Sequence, residues 1–162
     1  MTVDSRRLVE VIKPSSSLNS LLVSAKSDLL HRVPPKVLRP PLSKISPPDN
    51  SVVKLMDAFF IEFSDIIRES SSRAGNTLKV VWDSGVLESG LIGLSNITTF
   101  VIIRASEVGE IKVEAEGRAG SELISWVKGS IAIIRDAETI RITGTGKVIG
   151  TFVSYELHPA PC

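Results

Sequence analysis

The sequence has 162 residues, of which 43% are hydrophobic and 23% charged, with 19 basic against 18 acidic side chains. That length suits one domain, that composition excludes a chain disordered throughout, and a formal net charge of +1 excludes a polybasic, histone-like role. The single cysteine, Cys162, excludes an internal disulfide, a CxxC redox pair and a cysteine-built zinc site.

The opening residues Met1 to Glu10 carry Asp4, Arg6, Arg7 and Glu10 with no apolar run behind them, so no secretory leader is read. Arg7 to Ile12 reads as a strand. Pro14 and the serines after it can turn the chain and cap a helix, and Leu18, Leu21, Leu22, Leu29 and Leu30 follow at near-helical spacing, which predicts one or two short helices. Six of the nine prolines then fall between Pro34 and Pro48. Their missing N–H groups and fixed φ forbid regular helix and interior strand, so residues 34–50 read as an internal linker within a single domain spanning 1–162.

After it, Asp49, Asn50 and Ser51 supply N-cap candidates. Val52, Met56, Phe59, Phe60, Phe63, Ile66 and Ile67 recur with the i, i+3, i+4, i+7 spacing of an amphipathic helix, and Lys54, Asp57, Glu62, Asp65 and Glu69 take the other face. A helix from Ser51 to Ser72 is predicted, with Gly75 as its stop.

From Thr77 the residues turn to Ile, Val, Thr and aromatics separated by Gly, Ser, Asp and Asn, the pattern of an antiparallel meander. In Glu110 to Glu116 the apolar Ile111, Val113 and Ala115 alternate with Lys112, Glu114 and Glu116, as in a half-buried strand. Thr139 to Val148 repeats the alternation, and Gly144 and Gly146 on its inner face leave room for a close neighbour or a ligand. Leu123 to Ile134 reads as a strand bulged near Lys128 and Gly129. The last five residues, 158–162, read as a flexible tail. The predicted fold class is α+β: a curved antiparallel sheet of about six or seven strands, two short N-terminal helices, and one long helix packed on the sheet.

Two stretches carry a family resemblance. The first is VEVIKPSSSLNSLLVSAKSDLLHRVPP, through Val11, Pro14, Leu18, Leu21, Leu22, Leu29, Leu30, Arg32, Val33 and Pro34; the second runs from EIKVEAEGRAG to TIRITGTGKVIGTFVS, with Gly117, Gly120, Gly129, Thr139 and Gly150 at matching intervals. The chain resembles the helix-grip START or Bet v 1-like (SRPBCC) superfamily, and within it the CoxG-like family associated with carbon-monoxide dehydrogenase. It departs from that pattern by ending in YELHPAPC where the family has a long C-terminal helix. The helix from Ser51 to Ser72 is therefore expected to substitute, laying Phe59, Phe60 and Phe63 on the concave sheet face. The resemblance implies non-catalytic carriage of a hydrophobic small molecule, such as a lipid, isoprenoid or quinone, between sheet and helix. Phe59, Phe60, Phe63, Trp82, Phe100, Val113, Trp126 and Ile142 would line that cavity. It also implies a protein partner of the molybdenum-hydroxylase kind and no cofactor.

The remaining chemistry is sparse. Gly144 to Lys147 spells GTGK, but a phosphate loop needs Gly five residues before Gly146 and Ser or Thr after the lysine, where Arg141 and Val148 stand. GRAG at 117–120 reads as a hairpin turn. His31 and His158 lie at opposite ends of the chain and make no metal set, and no serine sits in a nucleophile elbow. Arg104, Arg118, Lys128, Arg135, Arg141 and Lys147 lie in the meander, so the alternative function is a nucleic-acid or protein-interaction module with a basic outer sheet face. A homo-oligomer joined through apolar surface is a third reading. The longest charge-free run, Ser89 to Ile103, has 15 residues, short of a membrane span, and a cytoplasmic location is expected. The absence of Gln and the presence of only four Asn fit a thermophile source.

Overall fold

The computed structural model describes residues 7–33 and 41–160. The chain runs β1 (Val9–Ile12), α1 (Ser16–Arg32), β2 (Leu42–Ile45), α2 (Asn50–Ser71), β3 (Asn76–Leu87), β4 (Gly90–Gly93), β5 (Ile97–Val108), β6 (Ile111–Gly117), β7 (Gly120–Leu123), a single 3-10 turn (Trp126–Lys128), β8 (Ile131–Arg135), β9 (Thr139–Gly144) and β10 (Lys147–Pro159). One sheet has six strands in the order β1-β8-β5-β10-β3-β2 and the other has four in the order β4-β9-β6-β7. Every pairing is antiparallel.

The six-stranded sheet is the middle of three layers because its strands are apolar on both faces. Val101, Ile103, Ile131, Ile133, Val153 and Tyr155 face the helices, where they meet Leu18, Leu22, Leu29, Leu55, Phe59, Phe63 and Ile67. Phe100, Ile102, Ala132, Ile134, Val148 and Phe152 point the other way, against Val113, Ala115, Ile140 and Ile142 of the four-stranded sheet. Runs such as FVII and IAII lack alternation for this reason: both neighbours are dry. Among the described residues the smaller sheet is covered on one side only, and its β6 alternates as predicted, with Val113 and Ala115 buried and Lys112 exposed.

α1 begins where the Ser15 hydroxyl accepts from the Leu18 N–H at 3.3 Å. It ends at Val33, whose extended ψ of 123° is what a following proline imposes. α2 buries Val52, Leu55, Met56, Phe59, Phe63 and Ile67, whereas Ile66 is exposed.

The predicted fold class is corrected by this architecture. In place of one curved sheet of six or seven strands under three helices there are, among the described residues, ten strands in two sheets and two α-helices. Nothing between Ser16 and Arg32 breaks a helix, so the two short N-terminal helices are one of 17 residues. Leu123 to Ile134 is not a bulged strand: β7 ends at Leu123, the 3-10 turn follows, and β8 starts at Ile131. The meander is replaced by a winding in which β3 to β6, and again β8 to β10, pass alternately from one sheet to the other. Strand patterning reports which residues are buried and not which sheet a strand joins.

Part of the proline-rich segment is ordinary sheet. Leu42–Ile45 pairs with Leu87–Ser84 of β3, and residues 34–40 lie outside the described residues. β2 stops before Pro47, which has no N–H for a ladder. At the other end, His158 and Pro159 pair with Thr77 and Asn76, while 161–162 lie outside the described residues.

Candidate functional site

The eight residues nominated from the sequence divide between the two cores. Phe59 (0% exposed) and Phe63 (3%) are buried under the helices, with rings 5.3 Å apart, and Phe60 and Trp82 pack half-buried at the rim of that layer. Phe100, Val113 and Ile142 are buried between the sheets, and Trp126 is half-buried beside them. The six-stranded sheet stands between the two groups. Trp126 lies under the Arg104 guanidinium, 4.8 Å from the ring centre.

The basic residues of the meander do not form one face either. Arg104 pairs with Glu107 at 3.1 Å, Arg118 with Glu138 at 3.9 Å, Arg141 with Glu116 at 2.5 Å and Lys147 with Glu88 at 3.4 Å. Arg135 is buried on the helix side against Glu10 at 3.5 Å. Arg104, Arg135, Arg141 and Lys147 are thus each answered by a carboxylate, which removes most of the excess charge that phosphate binding needs; Arg118 is held only loosely, and Lys128 is exposed on the 3-10 turn.

Open space lies instead at one end of the sandwich, in a cleft of about 630 Å³. Four segments remote in sequence converge there: Arg7 and Leu8 at the start of β1, Ile97 and Thr98 at the start of β5, the β6–β7 hairpin, and the β8–β9 crossing at 135–138. GRAG makes the hairpin, with Gly117 paired to Gly120 and Arg118 and Ala119 at its tip. The crossing is fixed by Asp136, a non-glycine residue at φ 55°, whose N–H donates to the Thr98 carbonyl at 2.9 Å. Held αL residues of this kind store strain that the surroundings must over-determine. Here Arg73 supplies a further hold, donating to the Asp136 carboxylate at 2.7 Å.

The floor of the cleft is apolar. Leu8, Ile97 and Ala137 belong to the inter-sheet core and surface here. The walls carry Arg7, Arg118 and Arg135 with Glu122, Asp136 and Glu138. Arg7 is held by Glu122 at 2.7 Å, whose other oxygen accepts from the Val9 N–H. Arg118, which lines the cleft, is 96% exposed with its carboxylate at 3.9 Å, a separation at which a surface pair contributes almost nothing, so its guanidinium is available to a carboxylate or phosphate. None of the eight nominated residues lines this cleft. GRAG was its one sequence signal, and a turn motif does not say what it faces.

The opposite end has a second opening, also about 630 Å³, framed by Glu107, Gly109, Glu110, Lys112, Thr143 and Gly144. It sits over the turns that carry the chain between sheets. No group of three or more His, Cys, Asp or Glu side chains able to hold a metal occurs among the described residues, and no helix among them is long and apolar enough to cross a membrane.

No family model and no curated protein matches the chain. Among solved structures it is similar to the crystal structure of a Pseudomonas putida prolyl-4-hydroxylase, at 9% identity over 91% of this chain and 90% of that one, with a TM-score of 0.57. At that identity the likeness is one of fold: two facing antiparallel sheets with helices on the larger.

Proposed function

We propose that the protein is a non-catalytic binding module for a hydrophobic small molecule with an anionic head, and that the ligand sits in the end cleft. The carrying observation is the pairing of an apolar floor, Leu8, Ile97 and Ala137, with the exposed guanidinium of Arg118 on the wall. Apolar surface with a few convergent polar groups is the usual make-up of a small-molecule site. The helix–sheet layer is a less suitable place, because Phe59, Met56 and Leu55 fill it at 0% exposure.

The test is native mass spectrometry of the purified protein, then organic extraction and titration with a medium-chain fatty acid. A stoichiometric adduct is expected for the wild type and for Trp126→Ala, and its loss for Ala119→Trp, which fills the cleft mouth from an exposed turn. An apo-protein that also fails to take the fatty acid, or an adduct indifferent to Ala119→Trp, overturns the reading.

A further inference from the structure

Three exposed lysines that form no ion pair among the described residues, Lys13, Lys26 and Lys128, gather beyond the far end of β1, away from the end cleft. Two hollows of about 390 and 410 Å³ adjoin there, one between Lys13 and the 3-10 turn, the other between α1 and the last residues of β5. They share Asn19, Arg104 and Ser130, so they make one strip along the flank of α1. Among the described residues Glu107 is the one carboxylate lining it, and Arg104 holds that carboxylate at 3.1 Å. Asp28, the one carboxylate on α1, lies on the opposite face, where the Ser51 hydroxyl of α2 donates to it.

Aliphatic side chains stand among these cations. Val127 is 92% exposed on the 3-10 turn and Val23 is 61% exposed on α1, and both line the strip. Asn19, Val23, Lys26 and Leu30 recur at i, i+4, i+7 and i+11, one face of the helix, and Leu30 is exposed as well. The turn that holds Val127 out is braced. The Gly129 N–H donates to the Trp126 carbonyl at 3.2 Å, and Gly129 lies so near the end of β1 that a Cβ there would run into the Ile12 carbonyl oxygen. Trp126 is no stacking platform, since the Arg104 guanidinium lies over its ring and the rest packs against the inter-sheet core.

This chemistry selects the occupant. Protein partners are anchored by Trp, Tyr and Arg, while lysine is depleted at their interfaces and valine among their energetic anchors. Single-stranded nucleic acid is gripped by open aromatic faces, which Trp126 does not provide. Unpaired lysines interspersed with exposed aliphatic side chains are instead the make-up of a surface that lies on an anionic bilayer, where cations meet the lipid phosphates and aliphatic groups enter the acyl boundary. We propose that this strip docks the protein on membranes containing anionic lipid, with Lys13, Lys26 and Lys128 against the headgroups and Val23 and Val127 inserted. The docking strip and the end cleft lie at opposite ends of β1 and share no lining residue, so each stands or falls without the other.

Vesicle flotation of the full chain tests this, with thermal melts to confirm that each variant folds. The wild type is expected to float with vesicles of phosphatidylcholine mixed with phosphatidylglycerol at low salt, to be released by high salt, and to ignore phosphatidylcholine alone. The double variant K13E/K26E should weaken partition roughly thirtyfold or more, and Val127→Asp about tenfold. K54E/K79E removes as much charge from exposed lysines on α2 and β3 and should leave flotation unchanged, as should Ala119→Trp in the end cleft. A wild type that does not float with the anionic vesicles overturns the proposal. So does flotation that Val127→Asp leaves intact, that K54E/K79E reduces as much as K13E/K26E, or that Ala119→Trp abolishes.

Discussion

Arg135 on β8 reaches Glu10 on β1 at 3.5 Å, with only 3% and 11% of the two side chains exposed. The guanidinium Nε also lies 3.4 Å from Ser70 Oγ at the end of α2. One strand pair is thereby tied to the helix layer beside the end cleft. Close by, the Thr98 hydroxyl donates to the Ser71 carbonyl at 2.8 Å and the Ser71 and Thr99 hydroxyls meet at 2.6 Å.

Removing one member of such a pair leaves the other charge in a dry site. Arg135→Met is expected to cost about 3–5 kcal/mol in chemical denaturation, whereas Glu10→Leu combined with Arg135→Met should recover most of that loss. Additive penalties in the double variant would show that packing, and not charge, sets the effect.

Tyr155 is fully buried between β10 and the helices. Burial raises its hydroxyl pKa from 10.0 to about 12, against a smaller opposing effect of Arg68. The folded protein then keeps a proton that the unfolded chain releases near pH 10, so this group's contribution is intact below pH 10 and is lost as pH rises to about 12. Two pH units correspond to roughly 2–3 kcal/mol. Tyr155→Phe should flatten the alkaline limb of a stability–pH profile, and an unchanged limb would sink the assignment.

Ser84 and Thr151 stand opposite each other on β3 and β10, both buried on the helix side, and neither hydroxyl has a hydrogen-bond partner among the described residues. A buried polar group without a partner carries its full desolvation penalty. Thr151→Val keeps the shape and discards the hydroxyl, so a gain of about 1 kcal/mol is expected in urea unfolding. A loss of stability would instead reveal a bound water at this pair.

What was legible in the chain was local. The period of Val52 to Ile67 marked α2, and Ile111 to Ala115 marked a one-sided strand, because burial on one face leaves a repeat that the eye can count. Strand order was not legible: FVII on β5 and IAII on β8 look alike whether they neighbour each other in a meander or, as here, are separated in sequence by two strands of another sheet. The nominated site failed to converge for the same reason. Phe59 and Phe100 are both buried aromatics, and only the topology reveals that a sheet separates them. The end cleft needs Leu8, Ile97, Arg118 and Asp136 together, and no spacing along the sequence announces that meeting.

Gly144 and Gly146 show how a local signal can be read correctly in kind and completed only by the fold. Their inner-face position asked for a close neighbour, and the neighbour is backbone. A Cβ on Gly146 would run into the Val108 carbonyl oxygen, and one on Gly144, at φ 109°, into that of Glu110, both closer than the 3.0 Å that real Cβ contacts respect. The Gly146 N–H donates to the Glu110 carbonyl at 2.8 Å, locking the β9–β10 turn onto the β5–β6 turn where both chain segments pass between sheets. Since the obstructing atoms are main chain, they cannot swing aside as a flexible side chain would. Gly146→Ala should therefore destabilise the protein by about 2 kcal/mol or more, at the upper end for a single methyl, with thermal denaturation as the measure. Ala at Gly93, where nothing lies within 4 Å, should cost little. Equal effects at the two positions would mean that the turns part easily and that the sheet crossing is held elsewhere.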